Sequence, residues 1–177
     1  MKTNLLAGFT TLITLGLGVG VASAADLPGL DDTYLGADLG FASIDSNAGT
    51  ADLMDAKLRG GAFVYEDLLS LEGRIGLGIN DDRLDAGADV EINHLYGVYG
   101  VAHYPVLDSA DVYGLLGYSG LEAGVAGVDE TYSGVSYGAG ATVDVIENIE
   151  GYAEFTRYFD DQDVTVDSLS IGAKYNF

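Results

Sequence analysis

The chain has 177 residues, with 28 Asp+Glu against 7 Lys+Arg, a formal net charge of −21, no cysteine, no tryptophan and two prolines. Yet 48% of it is hydrophobic, with 26 glycines and 12 tyrosines, and its mean hydropathy is positive. The lack of cysteine excludes a disulfide scaffold and any thiolate metal site. The charge speaks against nucleic acid as a partner, because phosphate binding needs a basic surface, and the apolar and aromatic content excludes disorder. A chain both this acidic and this apolar must gather its apolar residues where water does not reach.

The chain opens as an export signal. Met1-Lys2-Thr3-Asn4 is a short positive head, residues 5–21 are uncharged and apolar, and Ala22-Ser23-Ala24 offers small residues at the spacing a signal peptidase reads. A genuine N-terminal membrane helix is the alternative, but such a helix would not end in a cleavage site. Residues 1–24 are therefore expected to be a signal peptide, with residues 25–177 as the one mature domain. The Gly-rich stretch within the apolar core has no strand–turn–helix context and is not a nucleotide loop.

Past Ala24, the longest run without Asp, Glu, Lys or Arg is Ile92 to Leu107, still too short to cross a bilayer as a helix. Helical periodicity is missing, and apolar residues instead alternate as in strands with two unlike faces. Eight such segments follow one another at 33–42, 56–65, 69–79, 92–104, 112–122, 133–145, 149–159 and 165–177. Each is near the length of about 9–11 residues that a tilted membrane strand needs. Short turns are expected at 66–68, 105–111 and 146–148. Longer, Asp/Gly/Ala-rich loops are expected at 43–55, 80–91 and 123–132, with a brief acidic one at 160–164. That alternation predicts an all-β fold, an eight-stranded antiparallel up-and-down transmembrane β-barrel.

The two phases of the strands differ in kind. In 69–79, Leu69, Leu71, Ile75, Leu77 and Ile79 oppose Ser70, Glu72, Arg74, Gly76 and Gly78. In 165–177, Leu169, Ile171, Ala173, Tyr175 and Phe177 oppose Ser168, Ser170, Gly172, Lys174 and Asn176. A charge facing lipid near mid-bilayer costs about 2–4 kcal/mol, so the charged phase belongs inside. It holds the bases Lys57, Arg59, Arg74 and Lys174 and the acids Asp38, Glu72 and Glu154, with Asp144 a further candidate. Buried charges must pair, and an eight-stranded barrel is just wide enough to be filled by its side chains. The prediction is an internal ion-pair network centred on Glu72, Arg74, Lys57, Arg59 and Glu154, acting as a plug rather than a conduction path.

A soluble sandwich or lipocalin-like barrel would bury the apolar phase instead. Against it, the polar phase is rich in Gly and Ser with paired charges, unlike a wet face. Tyr34, Tyr96, Tyr104, Tyr158, Tyr175 and Phe177 also lie near strand ends, as interfacial aromatic girdles do.

Four segments carry a resemblance: 104–117 (YPVLDSADVYGLLG), 69–74 (LSLEGR), 137–141 (YGAGA) and the closing 169–177 (LSIGAKYNF). In order and spacing they resemble the small OmpA/OmpX-type outer-membrane barrels, over essentially the whole mature chain. The resemblance implies residence in a Gram-negative outer membrane as a monomer, among lipid and lipopolysaccharide. A terminal Phe177 with Tyr175 two residues before it is similar to the signal read by the barrel-assembly machinery. Glu72 matches an inward carboxylate of the family's core ion-pair network. The positions of its arginine and lysine partners are Tyr152 and Val101 here, so Arg74, Lys57 or Arg59 would have to supply the cations. The chain ends at Phe177, so the cell-wall anchoring of relatives with a C-terminal peptidoglycan-binding domain is not expected.

Some eight-stranded barrels are lipid A acyltransferases or deacylases, which need a His with a nearby Ser and an acid. Only His94 and His103 exist, and neither lies in a His-x-Ser motif. No histidine pair has metal-ligand spacing, and no enzyme activity, metal or cofactor is expected. Acids crowd the expected loops: Asp45, Asp52 and Asp55, then Asp81, Asp82, Asp85, Asp89 and Glu91, then Asp129 and Glu130, then Asp160, Asp161 and Asp163. They read first as a solvated, self-repelling surface, and second as weak Ca²⁺ ligands or contacts to the divalent-ion layer of lipopolysaccharide. The functional expectation is a structural, membrane-integrity protein. A narrow porin-like channel and a surface adhesin acting through acidic loops are the alternatives.

Overall fold

A computed structural model describes residues 32–46, 49–83, 89–125, 128–161 and 164–177. The expected signal peptide and its cleavage after Ala24 lie outside the described residues. Nine strands follow in chain order: β1 (Thr33–Ser46), β2 (Gly49–Tyr65), β3 (Leu69–Gly78), β4 (Asp81–Arg83), β5 (Asp89–Leu107), β6 (Ala110–Val125), β7 (Val128–Ile146), β8 (Ile149–Asp161) and β9 (Val164–Asn176). Every strand pairing is antiparallel: chain neighbours pair, except that β3 pairs with β5 and β1 closes on β9. The short β4 prolongs β3 along the edge of β5. The wall is thus a closed eight-stave, up-and-down barrel with no free edge.

The strands run well past the expected ends. Segments 43–55 and 123–132 read as loops because they are polar and Asp/Gly/Ala-rich, yet β1 and β2 stay paired to Ser46↔Gly49 and β6 and β7 to Val125↔Val128. The expected turn at 105–111 is likewise strand, apart from Asp108 and Ser109. An apolar face marks only the part of a strand that meets hydrocarbon. Beyond it the ladder needs backbone partners and local polar contacts, such as Thr50 Oγ1 donating to Asp45 at 2.6 Å.

At the other end of the barrel, here called the turn end, the connections are tight. Asn148 sits at φ 65°, a left-handed conformation that asparagine tolerates. Its side-chain amide donates to the Asn176 carbonyl at 3.1 Å, and its own carbonyl accepts from Asn176 N at 2.9 Å. Phe177 N donates to Thr33 O at 3.0 Å, fixing the last strand beside the first.

Period-two alternation sorts side chains cleanly. Leu71, Ile75, Leu77, Val98, Leu116, Phe155, Leu169 and Ile171 are exposed on the outer face, while Ser70, Glu72, Arg74 and Glu154 are buried in the lumen. Inside, three layers stack along the axis. Toward the far end, Ala42, Ile44, Leu53, Ile92, Leu95, Leu121, Tyr158 and Val166 form one buried apolar cluster, with Tyr132 packed on it. The middle layer is ionic. The turn end is polar, with Thr33, Ser70, His103, Thr142 and Lys174 buried there. Tyr34 and Tyr158, expected in the interfacial girdles, are 2% and 1% exposed and belong to the lumen, whereas Tyr96, Tyr104 and Tyr175 do face outward. Strand-end position alone cannot distinguish the two, and the phase of the alternation does. Asp144, a candidate for the inner phase, is exposed beside the 147–148 turn.

Candidate functional site

The ionic layer is assembled by register. Asp38 of β1 lies directly opposite Lys57 of β2, and Arg59 of β2 lies opposite Arg74 of β3. Two arginines face to face would repel. Glu154 reaches them from β8, which stands across the barrel from β3. Its carboxylate accepts from Arg59 Nη1 at 3.0 Å and from Arg74 Nη2 at 2.9 Å. Tyr113 and Thr156 hydroxyls also donate to it, each at 2.9 Å. Glu154 is 1% exposed and is the hub of the layer.

Around that hub the other charges close up. Arg74 pairs with Glu72, and Glu72 also accepts from the Tyr34 hydroxyl at 2.8 Å. Arg59 reaches Asp38 at 2.9 Å and Glu72 at 3.7 Å. Lys57 bridges Asp38, at 3.1 Å, and Asp55. A charge-assisted bond of this kind is about twice as strong as a neutral one, and the shared geometry leaves each cation more than one carboxylate.

Six of the seven residues singled out from sequence thus meet here: Asp38, Lys57, Arg59, Glu72, Arg74 and Glu154. Lys174 does not join them. It sits at the turn end, paired with Glu150 at 3.0 Å and 5.1 Å from the centre of the Tyr34 ring. Asp55, which reads as a loop acid, is fully buried against Lys57. With Asp55 included, the central layer holds four carboxylates and three cations, not a neutral set. The signal for Asp55 is its phase: it is two residues before Lys57 and four before Arg59, on the same inward face.

The tyrosines are the larger omission. Tyr152 stands where the resemblance puts an arginine. Its hydroxyl donates to Asp38 at 2.8 Å, and the Arg59 guanidinium stacks 4.1 Å from its ring centre. The cation is supplied from β2, and the aromatic holds it in place. Val101, at the matching lysine position, lies in an apolar wall patch with Tyr99, Tyr113 and Leu115. Tyr34, Tyr113 and Tyr152 each lie over the inward glycine paired with them on the next strand: Gly61, Gly140 and Gly172. A Cβ at Gly61 has no room beneath the Tyr34 ring, so the glycine is what lets the ring lie flat across the lumen.

At the turn end the sheet brings together residues far apart in sequence. The Ser70 hydroxyl is 3.1 Å from His103 Nε2 and 3.1 Å from the Tyr34 hydroxyl. The contact is made by β3–β5 pairing, so a search for His-x-Ser could not find it. A small cavity beside it, lined in part by Tyr34, Glu72, His103 and Lys174, has a volume of about 10 Å³. That is room for about one water and not for an acyl chain. His94 faces outward and is exposed. Among the described residues no group of three or more His, Cys, Asp or Glu side chains is arranged to hold a metal ion.

Tyr175 and Phe177 pack edge-to-face at the turn end, ring centres 5.0 Å apart. The side chains of Asp81, Asp82, Asp85, Asp89, Glu91, Asp129, Glu130, Asp160, Asp161 and Asp163 lie outside what the structure describes, while Asp45 and Asp52 are exposed.

A closed barrel with an aliphatic outside and an ionic inside is built for lipid. Over residues 9–177 the sequence matches the family described as outer membrane protein beta-barrel domain. The chain belongs to that family. Its fold is similar to that of neisserial surface protein A, with a TM-score of 0.63 at 17% identity over 82% of this chain and 97% of that one. It is also similar to Ail, the attachment invasion locus protein of Yersinia pestis, with a TM-score of 0.59 at 18% identity over 83% and 99% of the two chains. A chain from the de novo design of transmembrane β-barrels matches at a TM-score of 0.53 and 15% identity, over 82% and 94%. A comparison with curated proteins finds no match. The protein is a small outer-membrane β-barrel.

Proposed function

We propose that this protein is a structural component of the outer membrane, a monomeric barrel with a plugged lumen. One observation carries the reading: side chains cross the lumen in successive layers, the Glu154-centred network at mid-barrel and the buried cluster of Leu53, Leu95, Leu121 and Val166 beyond it. Export by a signal peptide cleaved after Ala24 and recognition of Tyr175 and Phe177 by the barrel-assembly machinery are part of the same reading. So is a lipid and lipopolysaccharide environment for the aliphatic face. The exposed Leu and Ile side chains of the outer wall support it. In the ionic layer each cation is held by more than one carboxylate, so the inward charges are paired with one another.

The test is reconstitution. Purified protein should migrate differently on a gel before and after boiling, fractionate with outer membranes, and give no steady current in planar bilayers. A steady single-channel current would replace the plug with a narrow channel. Likeness to Ail at 18% identity carries the fold and not an attachment role. An adhesin would show itself by cell binding that is lost when the exposed tips near Asp45 and Asp52 are trimmed.

A further inference from the structure

We infer that the barrier to ions in this lumen is the apolar layer at its far end, and that the ion-pair layer is not itself the seal. The inference rests on the plugged-lumen reading and locates the plug.

The two layers resist an ion differently. In the ionic layer, Arg59 lies 2.9, 3.0 and 3.7 Å from carboxylate oxygens of Asp38, Glu154 and Glu72. A cation there can exchange partners, and an entering ion meets charged groups that replace its water. The layer also borders the polar turn end, where His103, Thr142 and Lys174 line a small cavity. Water entering from that side would meet polar partners on the way to the ionic layer.

Among the described residues the far-end cluster carries no charged side chain. It draws residues from β1, β2, β5, β6, β8 and β9, with Tyr132 of β7 against it. Leu53, Leu95, Leu121 and Val166 contribute only hydrocarbon, each 3% exposed or less. Two hydroxyls on its flank are held by the wall: Ser119 bonds Ser136, and Ser136 donates to the Tyr158 carbonyl. An ion crossing this disc must shed its hydration with no charged group in the cluster to replace it. Apolar constrictions block ions by excluding water even where side chains could move aside.

Planar-bilayer conductance of full-length protein tests this, with heat-modifiable migration confirming that each variant is folded. Three proteins are compared: the unaltered chain, an ionic-layer variant (Arg59→Gln with Glu154→Gln), and an apolar-layer variant (Leu53→Ser with Leu121→Ser). The expected result is silence from the first two and a steady current about tenfold above background leak from the third. Val166→Thr, nearly unchanged in shape, serves if the double serine variant fails to fold, with a smaller rise expected. An ionic-layer variant that conducts as well as the apolar-layer variant overturns the inference, as does silence from folded apolar-layer variants. Current through the unaltered chain would overturn the plugged-lumen reading itself, which keeps the two failures apart.

Discussion

The two faces of β3 show what organises this protein. Outward, Leu71, Ile75 and Leu77 are 43%, 47% and 55% exposed, while inward, Ser70, Glu72 and Arg74 are 2%, 5% and 2% exposed. Successive residues of one strand meet two different solvents. Hydrocarbon on one side accepts aliphatic side chains with no polar partner. The lumen on the other side accepts charge only where every charge has a counter-charge. In a soluble barrel the oily phase would be the tightly packed interior. Here the packing demands fall on the ionic phase, and the oily phase needs only to be uninterrupted.

The comparison sets the order of mutational effects. The largest should come from the lumen hub. Glu154→Ala leaves Arg59 and Arg74 facing each other with Glu72 as the carboxylate they share, and removing one partner of a buried pair costs about 3–5 kcal/mol. Unfolding from lipid vesicles in denaturant would measure it. Next comes the outer wall: Ile75→Arg puts a charge toward acyl chains at a cost of about 2–4 kcal/mol, read by the same titration. An equal substitution with little effect would mean that Ile75 does not face lipid. Tyr34→Phe removes the hydroxyl that donates to Glu72, and a hydrogen bond to a charged group is worth about 1.5–3 kcal/mol. The smallest effect belongs to Arg157, which pairs with Asp167 at 2.6 Å on the outer surface with its side chain 32% exposed. Arg157→Ala should leave stability close to unchanged, and closer still at high salt.

What could be read from sequence follows from the same contrast. Strand number, antiparallel order and the inward charges of β2, β3 and β8 were legible because Lys57, Arg59, Glu72, Arg74 and Glu154 each interrupt an otherwise apolar alternation. Strands β5, β6 and β7 are apolar in both phases, so the inward positions of Tyr99, Tyr113 and Leu115 were not. A lumen large enough for tyrosines uses them as fillers, and a filler resembles a lipid-facing residue in composition. Strand length failed at the far end because hydrogen-bonded ladder continues where the apolar face stops, as Asp45↔Thr50 illustrates. Asp55 was misplaced for that reason. Once β2 is extended back to Gly49, its alternation assigns Asp55 to the lumen with Lys57 and Arg59. Partners distant in sequence, such as Ser70 with His103 and Lys174 with Glu150, depend on register and closure, which no single-strand pattern encodes.

The division between outward oil and inward charge can be tested without altering a residue. Methyl-labelled protein in protonated lipid nanodiscs should give acyl-chain cross-peaks to Ile75, Leu77 and Ile171. The equally apolar but inward Val101, Leu115 and Val166 should give none. Acyl cross-peaks at Val101 and Leu115, or their absence at Ile75 and Ile171, would contradict the assignment of the two faces.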